Sequence, residues 1–335
     1  MQKLNDRIHW IDIAKGICMI LVVLGHTMRG GPVWHAVYGF HVAAFFFLTG
    51  MTCGTGRVLT DIRRILVPYY CFGLFSIAVF AVAGRTAAAL YGLPADTALM
   101  ANILHLLYGN GADRAMLFNT ALWFLPCLFL TKCLYYGVDR LCRGGQTLIL
   151  TVCGAVGVMG YLYTRHQLPD LPFSASVAMK MLPLLALGRF CRLRGLEIRS
   201  RKAGLALGVL LMAAACALAL ELPKVNYSDD LFPSMAGFCA TALLGTGGII
   251  LLSMGIGRNR VLEHLGRNTL AVMVMHKFPV VVLQMLQPFR NILQQNQTLT
   301  GHLLGGIPAV ILSIAACLLA AMVIKKYVPA LLGGK

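Results

Sequence analysis

The residues best equipped for chemistry lie in one apolar stretch, Trp10-Ile-Asp-Ile-Ala-Lys-Gly-Ile-Cys-Met-Ile-Leu-Val-Val-Leu-Gly-His26, which Asp12, Lys15 and His26 interrupt. At about 100° per residue, Lys15 and His26 fall roughly 20° apart around a helix and Asp12 about 60° to one side. The three side chains share one face, spread along roughly 20 Å of helix axis. Ionisable groups inside a bilayer are costly; they face protein or water-filled cavities and mark functional sites.

Each of these residues has a chemical reading and a structural one. The neutral imidazole of His26 suits a general base near neutral pH. It also suits an acyl relay, and equally a helix-end hydrogen bond to a neighbour. His41, in Gly39-Phe-His-Val-Ala-Ala-Phe-Phe-Phe-Leu-Thr-Gly50, fits packing, pairing with His26, or contact with substrate. Lys15 fits an ion pair with Asp12 at a three-residue spacing, snorkelling to the interface, or a phosphate-binding cation at the mouth of a cavity. Arg63 and Arg64, ahead of Ile-Leu-Val-Pro-Tyr-Tyr70, fit further phosphate-binding cations or simple topology determinants. Trp123, in Leu122-Trp-Phe-Leu-Pro126, fits an interfacial anchor or a stacking wall for a sugar ring or acyl chain. His276 and Lys277 lie mid-span, where they fit a buried polar contact or a substrate site away from lipid.

The elements that carry these residues are membrane spans. The chain has 335 residues, 58% hydrophobic and only 12% charged, with mean hydropathy +0.75. A soluble domain carries about 25% charged residues, and apolar runs of about twenty residues recur along the chain. The expectation is an all-α polytopic transmembrane helix bundle, one domain over 1–335. Ten spans are expected, over about 9–29, 33–54, 65–83, 116–138, 146–163, 174–191, 203–221, 233–254, 268–286 and 303–324. The first is expected to be retained, since no small-residue cleavage site follows it. The long connection 84–115 is expected to hold a surface or re-entrant helix around Ile103-Leu-His-Leu-Leu-Tyr108. No internal repeat stands out, which weakens the case for an inverted-repeat transporter.

The net charge of +17 reads as the positive-inside rule rather than nucleic-acid binding, because no aromatic-basic interleaving accompanies it. With the N-terminus inside, eighteen of the 29 Lys and Arg fall on inner segments, six on outer ones and five within spans. Both termini are therefore expected in the cytoplasm, with Asp12 and Lys15 towards the inner surface and His26, His41 and Trp123 in the outer half. The eleven cysteines include no Cys-x-x-Cys pair and mostly lie in apolar runs. They are expected to be packing residues, with no metal site.

The motifs resemble the acyltransferase 3 family of integral-membrane acyltransferases along nearly the whole chain. The most specific match is the Arg-or-Lys, ten residues, His pattern at Lys15 and His26. Further matches are Phe40-His41 through Leu48-Thr-Gly50, Arg64-Ile-Leu-Val-Pro68-Tyr69, Leu122-Trp-Phe-Leu-Pro126, and Gly266-Arg-Asn-Thr-Leu270 leading to His276. The resemblance implies ten helices in a bacterial cytoplasmic membrane, and O-acylation, usually acetylation, of cell-surface or secreted glycans with cytoplasmic acetyl-CoA as donor. It implies a catalytic His26 and a donor site that includes Lys15. On that reading His41 assists His26, Asp12 and Arg64 join Lys15 at the donor, and Trp123 and His276 meet the glycan acceptor. Lysine at position 15 resembles the fucose 4-O-acetylase-like members, and leaves less scope for bidentate phosphate binding than arginine. The expectation is a stand-alone member with no SGNH-type domain. Membrane lipids are the other expected partners and nucleic acid is not one. From the residues alone, a transporter of glycan or lipid-linked sugar and a non-catalytic partner of a glycan-synthesis complex are the alternatives.

Overall fold

Helix α1 (His9–Thr27) sets the frame. Ile11, Ile13, Ala14, Cys18, Met19, Val22 and Val23 are buried along it, and Asp12 in its first turn complements the positive end of the helix dipole. The computed structural model describes residues 8–28, 30–54, 58–82, 99–112, 116, 118–286, 289 and 302–334. Those residues are helical apart from turns, connections and an isolated bridge between Asn226 and Leu231. The all-α membrane bundle expected from composition is what forms.

Among the described residues, eight helical stretches are long and apolar enough to cross a membrane: His9–Thr27, Pro32–Thr52, Val58–Val82, Gln146–Arg165, Pro172–Arg194, Arg201–Glu221, Met235–Ile256 and Leu304–Tyr327. The other two expected spans take different forms. Residues 118–123 form turns, and the helix begins only at Phe124; it runs to Leu141 and carries Lys132, Asp139 and Arg140. The stretch 268–286 is divided at His276 into Thr269–Met275 and Lys277–Met285. The amphipathic stretch around 103–108 forms a helix, Leu99–Tyr108. Residues 83–98, and the outer arginines Arg29, Arg85, Arg114 and Arg290, lie outside the described residues.

By its contacts the chain falls into two compact units. One contains 1–52, 187–225 and 232–321, the other 53–186, 226–231 and 322–335. In the first, Pro32 opens α2 (Pro32–Tyr38), where its fixed φ suits a first helical turn. The chain bends at Gly39–Phe40 before α3 (His41–Thr52). The hydroxyl of Thr241 donates to the Gly39 carbonyl at 3.2 Å, satisfying a group the bend would leave open. A short helix, Arg260–Arg267, crosses α1 with backbone against backbone. A Cβ on Gly16 would meet the Leu262 carbonyl oxygen at 2.5 Å, and one on Gly266 would overlap the carbonyl of Asp12.

In the second unit, the buried charges of Asp61 and Lys180 are paired. Asp61 accepts from Lys132 and from the Tyr136 hydroxyl, the latter at 2.7 Å. Lys180, 1% exposed, donates to Asp230 at 2.5 Å and to Thr164 at 2.6 Å, and Thr164 donates to the other Asp230 oxygen at 2.7 Å. A buried charge needs this kind of closed network, since an unpaired one would cost several kcal/mol.

Candidate active site

His26 stands in the last turn of α1, half-buried, with its Nδ1 atom buried. Its ring lies 4.9 Å from that of His276, tilted by 46°. His276 is fully buried. It occupies the turn between Thr269–Met275 and Lys277–Met285, and its Nδ1–H donates to the Val272 carbonyl at 2.9 Å. That bond fixes the neutral tautomer in which Nε2 holds a lone pair. Nε2 is buried and has no hydrogen-bond partner among the described residues. The fold thus brings together two histidines 250 positions apart in the chain. One of them presents an unused acceptor at the end of a helix whose Ala271, Val272, Val274 and Met275 are buried.

His41 is 3% exposed. Its Nδ1–H donates to Val37 at 2.8 Å, and its ring neighbour is Tyr38, with centroids 4.9 Å apart. Tyr38 is also 4.9 Å from Trp34. A Cβ on Gly25 would meet the Tyr38 ring at 2.9 Å and Trp34 at 3.9 Å. The residue before His26 is therefore a notch for an aromatic file of Trp34, Tyr38 and His41. Sequence reasoning passed over Trp34 and Tyr38. Their signal was the i, i+4 aromatic spacing on one helix opposite a glycine on another.

Asp12 and Lys15 occupy the opposite end of α1, Lys15 about 16 Å along the axis from His26. Asp12 is 9% exposed. Lys15 is half-buried and lies 3.5 Å from the Thr52 hydroxyl, at the last residue of α3. The carbonyl end of a helix attracts a cation, so this placement gives Lys15 a structural tether. Arg64 and Trp123 belong to the other compact unit. Arg64 is exposed on a π turn, Ile62–Leu66, leading into Val67–Val82, and Gly333 packs against it. Trp123 is 6% exposed. It meets Phe124 edge-on, with ring centroids 6.2 Å apart, and packs over Gly111.

Among the described residues no group of three or more His, Cys, Asp or Glu side chains is placed to hold a metal ion. What the site offers is an imidazole pair and an aromatic file. An imidazole so placed can take a proton from a hydroxyl in surroundings that exclude water.

Comparison with known proteins supplies the class of reaction. No curated protein and no solved structure gives a match. Residues 8–325 match the acyltransferase domain, so α1 with Lys15 and His26, the Arg64 and Trp123 segments and the His276 turn all fall inside one family profile. The chain belongs to the acyltransferase 3 family and is a membrane O-acyltransferase.

Proposed function

We propose that the protein transfers an acetyl group from acetyl-CoA to a hydroxyl of a cell-surface or secreted glycan, in the cytoplasmic membrane of a bacterium. The observation that carries this reading is the contact between His26 and the fully buried His276, whose tautomer the Val272 carbonyl sets. In the reaction, His26 takes the proton of the acceptor hydroxyl as its oxygen attacks the thioester carbonyl. The tetrahedral intermediate collapses, the carbon–sulfur bond breaks, and the leaving thiolate receives that proton from His26. In a relay variant of the same chemistry, His26 itself attacks the thioester and CoA leaves as the thiol. The acceptor hydroxyl then displaces the imidazole.

The remaining residues take roles that follow from this one. His276 seats the His26 ring and completes the acceptor side. The file of Trp34, Tyr38 and His41 supplies flat apolar surface beside Gly25, suited to a sugar face or the acetyl methyl. Asp12 and Lys15 serve the donor. Family membership favours transfer over carriage of a glycan, and the imidazole pair favours a catalytic over a purely structural role.

The test is acetyl transfer by purified protein in lipid nanodiscs, with acetyl-CoA and a glycan acceptor. His26→Ala is expected to lower the rate by about 10²–10⁴-fold, the usual contribution of a positioned base, while the protein stays monodisperse and inserted. A near-normal rate for His26→Ala would overturn the mechanism. Trapping radiolabelled acetyl on the wild-type protein before acceptor is added would select the relay route.

A further inference from the structure

A second site lies at the end of α1 away from His26. A cleft of about 920 Å³ is lined by His9, Arg258, Arg260, His264 and Arg267, and by Ile314 and Leu318 on the helix Ile307–Tyr327. That volume is at the upper end of ligand pockets and has room for a nucleotide or a lipid headgroup. The cations are arranged, not scattered. Arg260, His264 and Arg267 stand at i, i+4 and i+7 of the helix Arg260–Arg267, within about 60° of one another around its axis. All three are exposed, as is Arg258.

The helix that presents them is held firmly. The Asn259 side chain caps it, accepting from the backbone of Val261 at 3.1 Å and Leu262 at 3.0 Å. Its other face is pinned to α1 through Gly16 and Gly266. Among the described residues, the one acidic side chain lining the cleft, Glu263, is already engaged. His9 donates to it at 3.1 Å while accepting from the Arg258 guanidinium at 2.8 Å. Among the described residues, neither Arg260 nor Arg267 has a carboxylate within ion-pair distance. Arginine forks on a preorganised helix suit phosphate oxygens, and Ile314 and Leu318 continue the cleft as an apolar wall.

We propose that this cleft binds a phosphate-bearing amphiphile, with Arg260 and Arg267 gripping the phosphates and the uncharged remainder lying along Ile314 and Leu318. The nucleotide phosphates of CoA and the headgroup of an anionic phospholipid share this chemistry. The CoA assignment rests on the acetyl-transfer reading; phosphate binding does not.

The experiment titrates CoA, dephospho-CoA and pantetheine into the full-length protein in phosphatidylcholine nanodiscs. It also measures, by native mass spectrometry, the phosphatidylglycerol retained after purification from mixed-lipid membranes. For CoA, Arg260→Gln with Arg267→Gln is expected to weaken binding by about tenfold or more, with pantetheine unaffected. If CoA binding is unchanged but phosphatidylglycerol retention falls, the cleft is a phospholipid site and the proposal stands for that source. If both are unchanged in a monodisperse double variant, the proposal is overturned. Should the double variant not fold, the wild type decides. Raised salt must weaken one of the two interactions, because exposed charges are screened, and indifference of both overturns it. Cleft binding without any acetyl transfer would sink the acetyl-transfer reading and leave this site intact. Transfer without cleft binding would do the reverse.

Discussion

His276 is the residue whose surroundings most need a reason. A fully buried ring nitrogen without a hydrogen-bond partner is unusual in a folded protein. Its neighbour is the His26 ring, 4.9 Å away, and the proposed mechanism gives the unused lone pair a reason as part of an imidazole pair. His276→Phe, which keeps an aromatic ring and removes the nitrogens, is expected to lower kcat by about 10–100-fold, by analogy with the outer partners of metal-bound histidines. The donor KM should hold steady and the pH profile of kcat should move. His276→Gln should recover part of the rate, and an unmoved pH profile would reduce His276 to a packing residue. At the other end of α1, the His9 hydrogen bond holds the Glu263 carboxyl below its ordinary value of 4.5. Its folded pKa is lower than its unfolded one, so this contact stabilises the protein above about that pH. The contribution is lost as pH falls through the lowered value. The groups facing it are His9, Arg258 and the Asn259 backbone. Melting curves taken from neutral to acid should therefore show a shallower acid decline for Glu263→Gln than for wild type.

At the scale of elements, the crossing of α1 with Arg260–Arg267 is the most exacting contact. Gly266→Ala puts a methyl into the Asp12 carbonyl, and backbone cannot move aside as a side chain can. A loss of about 1–3 kcal/mol is expected, typical of overpacking. A lowered Tm in detergent checks it, whereas Ala at Gly54, which has open space around it, should leave Tm in place. Legibility in the sequence also divides by element. The first span was readable because three polar residues break a strong apolar run on one face. The fourth span was read too early because hydropathy runs on through 118–123. There the Asn119 side chain accepts from the Ala121 backbone at 3.4 Å, a local bond that favours a turn before Phe124. The ninth span was readable as apolar but not as two pieces, since nothing in the spacing marks His276 as a turn. The pairing of His26 with His276 was out of reach, because helix packing chooses neighbours across 250 positions and leaves no local pattern.

For the whole molecule, the distribution of Lys and Arg carries a topological prediction. Both termini should face the cytoplasm. Tags at each end should be protected from protease in right-side-out vesicles and cut in inverted ones, and opposite accessibility of the two tags would refute an even number of spans. Fold class and reaction class were both legible in the sequence, through composition and through motifs spread from Lys15 to His276. The cationic cleft was less so, because Lys15 is drawn to the carbonyl end of α3 and the denser cation array sits on a helix only eight residues long. The glycine crossing has a mechanical corollary. Where two polypeptide ribs touch without an intervening rotamer, there is no compliant layer to soak up a displacement. A load placed on the arginine helix would meet the rod that ends in an imidazole with little between them to absorb it.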